Sequence, residues 1–343
     1  MKKFLWLGFV LVFLLASCAP AATAAVTPVA SETVVATTAA ATVSETSVAT
    51  AESTAAAGDA GKLVVYAPAS TSSIPVILAV SQIPGAELTL YSNQSQANTL
   101  FLRGDVDILV TGLSVGVDMA NNGAPVQMVD SFVSGLSYLV TYGQQVSSLA
   151  DLKGQEIYIP FEGSPIEEVT AFFAQKEGLT YKTDLTPVYA AFDSSVPLLK
   201  EGKATAVVLP EPNVTLVEGQ PNVFISVSYF DEWNQLTGTS EGYPQVGAFV
   251  NSAWAADHAA DVAAFNTQLA AAITSVEADP AAAVTAVSSN YKLTPELLLK
   301  SLNRTRYNLV TGQALQDSIE NYYQTIGKPL DEKFTASFFG SAQ

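Results

Sequence analysis

The chain has 343 residues, with 15 basic and 32 acidic side chains for a net charge of −17, and it contains one cysteine and one histidine. That balance opposes binding to nucleic acid or anionic lipid, which needs clustered Lys and Arg. A lone cysteine excludes an internal disulfide, and a lone histidine leaves no soft donor set for a zinc or copper centre.

At the N-terminus, Lys2 and Lys3 precede an apolar run from Phe4 to Ala16 broken only by Gly8. The run is well short of the ~20 residues a spanning helix needs, and with its charged start it has the layout of a signal peptide. It ends in Leu15-Ala16-Ser17-Cys18, which resembles a bacterial lipobox. That resemblance implies that residues 1–17 are removed and that the Cys18 sulfur carries diacylglycerol, anchoring the protein outside the cytoplasm. The alternative is an ordinary secretory signal with a chance cysteine. Loss of Lys2 and Lys3 leaves 13 basic against 32 acidic residues, a net charge of −19. Residues 18–61 are almost wholly Ala, Thr, Ser and Val, with no aromatic side chain. Such a composition cannot bury enough surface to offset the entropy of ordering, so it is expected to be a flexible tether.

The remainder reads as alternating strands and helices. Leu63–Ala67 is a short strand broken at Pro68, followed by the polar loop Ser70–Ser73 and a helix around Pro75–Val80. A helix ending near Leu102-Arg103 stops at Gly104, and the strand Val106–Val110 empties into Thr111-Gly112. The same grammar returns about a hundred residues later: Leu198–Glu201, Gly202, a buried strand Ala204–Leu209, then Pro210-Glu211-Pro212-Asn213. Between them, the strand Glu156–Pro160 leads through Phe161-Glu162-Gly163 to a helix from Pro165 to about Glu177. Ser164 can cap that helix, Pro165 suits its first position, and Glu167 completes a capping box. A strand at Thr186–Ala191 runs into Asp193-Ser194-Ser195, expected to be a second N-cap cluster. Val246–Val250 is a strand, Ala255–Val276 one long helix, and further helices begin at Ala281, Leu297 and Ala314. This alternation predicts an α/β fold with largely parallel sheets and helix N-termini gathered at the strand ends.

Five segments in order, Leu102–Gly112, Asn121–Val129, Ser148–Pro165, Leu198–Pro212 and Phe249–Leu269, give the chain a family likeness. From about Lys62 to Phe338 it resembles solute-binding proteins of ABC importers in the nitrate, sulfonate, taurine and thiamine-precursor group. The resemblance implies a two-lobed type II periplasmic-binding-protein fold with a ligand cleft between the lobes. Lobe one would comprise residues 62–142 and 246–343, and lobe two residues 143–245. It departs from the family at Ser81–Ala86, where the segment after the first helix is abbreviated.

In such a fold the ligand lies at strand ends, facing helix N-termini with free backbone N–H groups. The expected wall is Ser70, Thr71, Ser72, Thr111 and Gly112 from lobe one, faced by Gly163, Ser164, Asp193 and Ser194 from lobe two, with Glu162, Glu211, Asn213 and Tyr243 alongside. Each hydroxyl could instead be a plain helix cap, Glu162 a solvated loop residue, and Glu211 an acceptor for groups of lobe one or the hinge. Trp233, Trp254, Tyr138, Tyr229 and Tyr243 could stack on a ligand or belong to core and rim. His258, at the start of the alanine-rich helix, is expected to be an exposed first-turn residue. Asn213-Val214-Thr215 and Asn303-Arg304-Thr305 match glycosylation sequons that mean nothing in a bacterial lipoprotein.

The resemblance implies a monomer with ABC permease and ATPase subunits as partners, no cofactor and no catalysis. A binding module reporting to a signalling partner is the alternative. An enzyme of the same fold would need a reactive histidine and cysteine pair. Because the wall candidates include carboxylates and no basic residue, a neutral or amine-bearing organic ligand is expected over a bare inorganic anion.

Overall fold

The expected alternation is present, and its strands sort into two sheets, as a two-lobed α/β periplasmic-binding-protein fold requires. The computed structural model describes residues 62–339; the signal segment, Cys18 and the tether fall outside them.

β1 (Val64–Pro68) runs through a single 3-10 turn into α1 (Ile74–Val80), and β2 (Glu87–Tyr91) into α2 (Gln94–Leu102), which is capped by the Asn93 side chain. β3 (Ile108–Gly112), buried from Ile108 to Thr111, opens directly into α3 (Leu113–Asn121), followed by the long β4 (Val126–Gly135). The chain then passes through Leu136 into β5 (Ser137–Tyr142), β6 (Gln155–Ile159), α4 (Pro165–Lys176), β7 (Leu185–Tyr189) and α5 (Phe192–Lys200). β8 (Ala206–Pro210), α6 (Asn213–Val217), β9 (Val223–Ser228) and α7 (Tyr229–Thr237) complete the middle of the chain. It returns as β10 (Val246–Asn251), α8 (Ser252–Asp257), α9 (Ala259–Ala278), α10 (Pro280–Val287), α11 (Pro295–Leu302), β11 (Arg306–Val310), α12 (Gly312–Thr325) and α13 (Glu332–Phe338). The first sheet has the order β11-β4-β10-β3-β1-β2 and the second β7-β6-β8-β5-β9.

Four expectations are corrected. The sheets are mixed rather than largely parallel: β1 pairs parallel with β2 and β3, and β6 with β7 and β8, while β10, β4, β11, β5 and β9 pair antiparallel. The antiparallel set includes the strands by which the chain leaves one sheet and re-enters it. The change of lobe falls after Leu136, not after residue 142, because β5 hydrogen-bonds between β8 and β9 of the second sheet. Asp193, Ser194 and Ser195 lie inside the first turn of α5, whose N-cap is Ala191 with no side-chain cap.

The long alanine-rich helix is broken in two at His258, which is half-buried rather than exposed. The ring explains the break. His258 Nδ1 lies 2.8 Å from the Trp254 carbonyl oxygen that a continuous helix would give to the His258 N–H, and the imidazole stacks on the Trp254 indole at 4.5 Å. A side chain that meets the backbone in this way competes with the helical ladder.

Candidate functional site

The loops that leave β3 and β6 carry the two lobes against each other. Gly112 caps α3, and a Cβ there would lie 2.8 Å from Pro165 Cγ, so only glycine lets the two helix starts come this close. One residue turn further, Ser114 Oγ donates to the Gly163 carbonyl oxygen at 2.8 Å. On the facing side one half of the expected capping box has formed, and the Glu167 carboxylate departs from the other half. Ser164 Oγ accepts the Glu167 N–H at 3.1 Å, and Glu167 Oε2 reaches back to the Gly163 N–H at 2.6 Å, one residue earlier than the standard box. Glu167 Oε1 is held in turn by the hydroxyls of Tyr189 and Tyr181 at 2.6 and 3.2 Å. This network fixes the Gly163–Pro165 corner that meets α3.

Between the first turn after β1 and the C-terminal region lies a second set of hydroxyls. Thr71 is fully buried, with Oγ1 2.9 Å from Thr305 Oγ1, and its carbonyl oxygen accepts from the Tyr307 hydroxyl at 2.6 Å. Ser70 and Ser72 pair through their hydroxyls at 2.6 Å, and the Ser70 carbonyl oxygen accepts from Tyr291. Thr111, at the end of β3, is buried, with the Tyr91 hydroxyl of β2 as a hydrogen-bond neighbour of its side chain.

The crossover is a compact polar joint. Gln245 Nε2 donates to Ser137 Oγ at 2.5 Å, its Oε1 accepts the Leu136 N–H at 3.3 Å, and its carbonyl oxygen accepts the Leu113 N–H at the start of α3. Beside the joint, Glu211 has no exposed surface. Its carboxylate accepts from the Thr215 N–H and hydroxyl at 3.1 and 3.2 Å and pairs with Arg304 Nη1 at 3.3 Å. Arg304 also engages Glu218, while its carbonyl oxygen accepts from Tyr138 at 3.0 Å. Burial pushes the Glu211 carboxyl above its ordinary value, with Thr215 and Arg304 pulling it back.

The expected wall residues therefore separate. Thr111, Gly112, Gly163 and Ser164 lie at the corner where the lobes meet, and Ser70, Thr71 and Ser72 on the adjoining turn. Glu162 pairs with Lys182 at 2.7 Å on the exposed face, and Asp193 and Ser194 are exposed on α5. Asn213 is half-buried at the start of α6. Glu211 has its oxygens engaged by Thr215 and Arg304, the acceptor role open to it from the sequence. Tyr243 and Trp233 are core residues: the Trp233 ring stacks on Tyr322 at 5.5 Å and lies 5.2 Å from Tyr243 and from Phe172. Tyr229 is buried with its hydroxyl 2.7 Å from Thr170.

Sequence reasoning missed Ser114, Ser137, Gln245, Arg304 and Thr305. Only the Asn303-Arg304-Thr305 triplet stood out, and then as a sequon, because nothing local ties Arg304 to a carboxylate 93 residues away.

No curated protein matches the chain. Among solved structures, the ligand-binding component of an ABC-type import system from Staphylococcus aureus, with zinc bound, superposes at TM-score 0.64 and 13% identity, covering 82% of this chain and 98% of that one. The periplasmic aliphatic sulphonate binding protein SsuA from Escherichia coli gives 0.63 at 16% identity over 80% and 91% of the two chains. The alkanesulfonate-binding protein SsuA from Xanthomonas axonopodis pv. citri, bound to MOPS, gives 0.61 at 16% over 78% and 93%. At such identities the likeness concerns the fold. The family described as NMT1/THI5 like matches residues 85–283, which include the parallel-paired strands β2, β3, β6, β7 and β8 and the meeting of α3 with α4. The chain belongs to the NMT1/THI5-like family.

Proposed function

We propose that this protein is an extracytoplasmic solute-binding protein of an ABC importer, lipid-anchored through Cys18, that closes its lobes on a small organic molecule and presents the closed form to the permease. The observation that carries the reading is the contact of the α3 and α4 starts at Gly112, Ser114, Gly163 and Pro165, two helix N-termini from different lobes brought to one point. A ligand touching both has more contacts when the lobes are closed, so it shifts the population toward closure. The wall is Thr71, Thr111, Gly112, Gly163 and Ser164, and its helix N-termini and hydroxyls orient the solute. Arg304, the cation beside Glu211, is engaged by Glu211 and Glu218, which favours a neutral or amine-bearing solute over a bare anion. The sulfonate ligands of the similar SsuA proteins make an alkanesulfonate the competing class.

Against an enzymatic role stands His258, whose ring is taken up by Trp254 and which has no cysteine among the described residues to act with. Among those residues no group of three His, Cys, Asp or Glu side chains is placed to hold a metal ion.

Calorimetry against an alkanesulfonate, taurine, nitrate and a set of pyrimidines tests the reading. A true solute at a hundred times its dissociation constant stabilises the fold by ~2.7 kcal/mol, and small-angle scattering should show compaction. A tight ligand that leaves the scattering profile unchanged rules out closure as the mechanism. Separately, Cys18→Ser should release the protein from membranes with the globular part folded, and unchanged membrane association on cell fractionation would defeat the lipid anchor.

A further inference from the structure

The two lobes carry charge of the same sign. Residues 62–136 and 246–339 hold 8 basic and 14 acidic side chains, and residues 137–245 hold 5 basic and 14 acidic, so the lobes stand at −6 and −9. Bodies of like charge repel at low ionic strength, and these totals oppose closure. The ion pairs between the lobes run the other way, with one polarity throughout: among the described residues, every such pair has its cation on lobe one and its carboxylate on lobe two.

The first of these contacts lies beside the joint, where α11 meets α6. Glu211, whose N–H donates to the Leu136 carbonyl oxygen, takes Arg304 there. Glu218, just past the end of α6, is met from two sides: Arg304 Nη2 reaches its Oε1 at 2.5 Å, and Lys300 Nζ reaches its Oε2 at 2.7 Å. Burial opposes ionisation of Glu218, but the two cations outweigh it and hold the carboxyl below its ordinary value. The second contact uses different elements. Lys328, between α12 and α13, lies 3.0 Å from Oε1 of Glu168 on α4, and α13 itself packs on α3 and β4 of lobe one. A half-exposed pair alone contributes little. These pairs act together, because one opening of the lobes breaks both contacts.

We propose that the pairs form an electrostatic latch, in which Lys300, Arg304 and Lys328 hold together two lobes that would otherwise repel, and so set how far the solute-free protein lies toward the closed arrangement. The inference rests on lobe closure as proposed above and deepens it, by giving closure a determinant outside the solute wall. A larger closed population before binding raises the apparent affinity for solute, since less of the binding free energy is spent on closing.

Small-angle scattering of the solute-free protein tests the latch without any solute, so its failure and a failure of the solute assignment are read separately. At about 0.01 M salt, where the Debye length is about 30 Å, Lys300→Gln/Lys328→Gln should show a larger radius of gyration than wild type, with circular dichroism unchanged. Arg304 stays in place because the buried Glu211 needs it, and Glu168 keeps the Tyr322 hydroxyl. Lys153→Gln/Lys203→Gln removes the same charge from pairs inside lobe two, Lys153 with Asp184 at 3.3 Å and Lys203 with Glu201 at 2.7 Å, and should scatter like wild type. Lys300→Arg/Lys328→Arg keeps both cations and should do the same. At about 1 M salt the Debye length is about 3 Å, and Lys300→Gln/Lys328→Gln should contract toward the wild-type radius, because the repulsion it uncovers is then screened. The latch is overturned if Lys300→Gln/Lys328→Gln scatters like wild type at low salt, if Lys153→Gln/Lys203→Gln expands as much, or if the expansion persists in full at high salt.

Discussion

Arg304→Met is expected to destabilise the protein by about 3 kcal/mol, because removing one member of a buried ion pair leaves the other charged and desolvated. Glu211 is fully buried, and Arg304 is its cationic partner at 3.3 Å, with 21% of the arginine side chain exposed. The arginine lies just after α11 and the glutamate just after β8, so the pair also ties the C-terminal part of the first lobe to the second. Thr215 remains to hydrogen-bond the Glu211 carboxylate and limits the loss. The double variant Arg304→Met/Glu211→Gln should recover a large part of it, since the uncompensated charge is then gone. Urea denaturation of the single and double variants measures both numbers. An Arg304→Met protein within about 0.5 kcal/mol of wild type would show the pair to be energetically idle, like an ordinary surface bridge.

The second large effect concerns Asp130, in the middle of β4. It is completely buried: Oδ1 accepts the Ala248 N–H at 2.9 Å, and Oδ2 has no hydrogen-bond partner. Burial raises its carboxyl from 3.8 to about 7, with the Ala248 N–H opposing. Between those two values the folded protein keeps a proton that the unfolded chain has released, so stability falls as pH rises through that window and levels off above it. At 1.36 kcal/mol for each pH unit the full contribution is about 4 kcal/mol. Other buried carboxyls, among them Glu211 and Glu168, titrate in the same sense, so the informative quantity is the difference from a variant. Asp130→Asn cannot ionise and should lose this part of the slope, its stability relative to wild type improving by up to about 4 kcal/mol from pH 4 to pH 8. Parallel stability–pH curves for the two proteins would mean that Asp130 is already ionised in the fold.

What the sequence by itself determined lies within a few residues along the chain. Ser164, Pro165 and Glu167 specify the start of α4 because capping atoms and their partners are three or four positions apart, and the hydrogen bonds found are those the spacing allows. The repeated helix–glycine–strand turns were legible for the same reason: Gly104 and Gly202 both adopt the left-handed conformation there. Periodicity likewise located β1, β3, β6, β8 and β10 to within about two residues. His258 marks the limit of that reasoning, since alanine content favoured one long helix and a ring stacked on Trp254 broke it.

Tertiary structure alone decided the rest. Strand direction depends on which neighbour a strand meets, so the antiparallel placement of β5 and β10, and with it the change of lobe at Leu136, had no local signature. The same holds for the site. Ser114 meets Gly163 across 49 residues and Arg304 meets Glu211 across 93. Lys328 meets Glu168 across 160. Glu211 and Glu168, carboxylates that a charge count would leave on the solvated surface, became buried because two chain crossings brought their elements together, and each then needed a partner to offset the cost of desolvation.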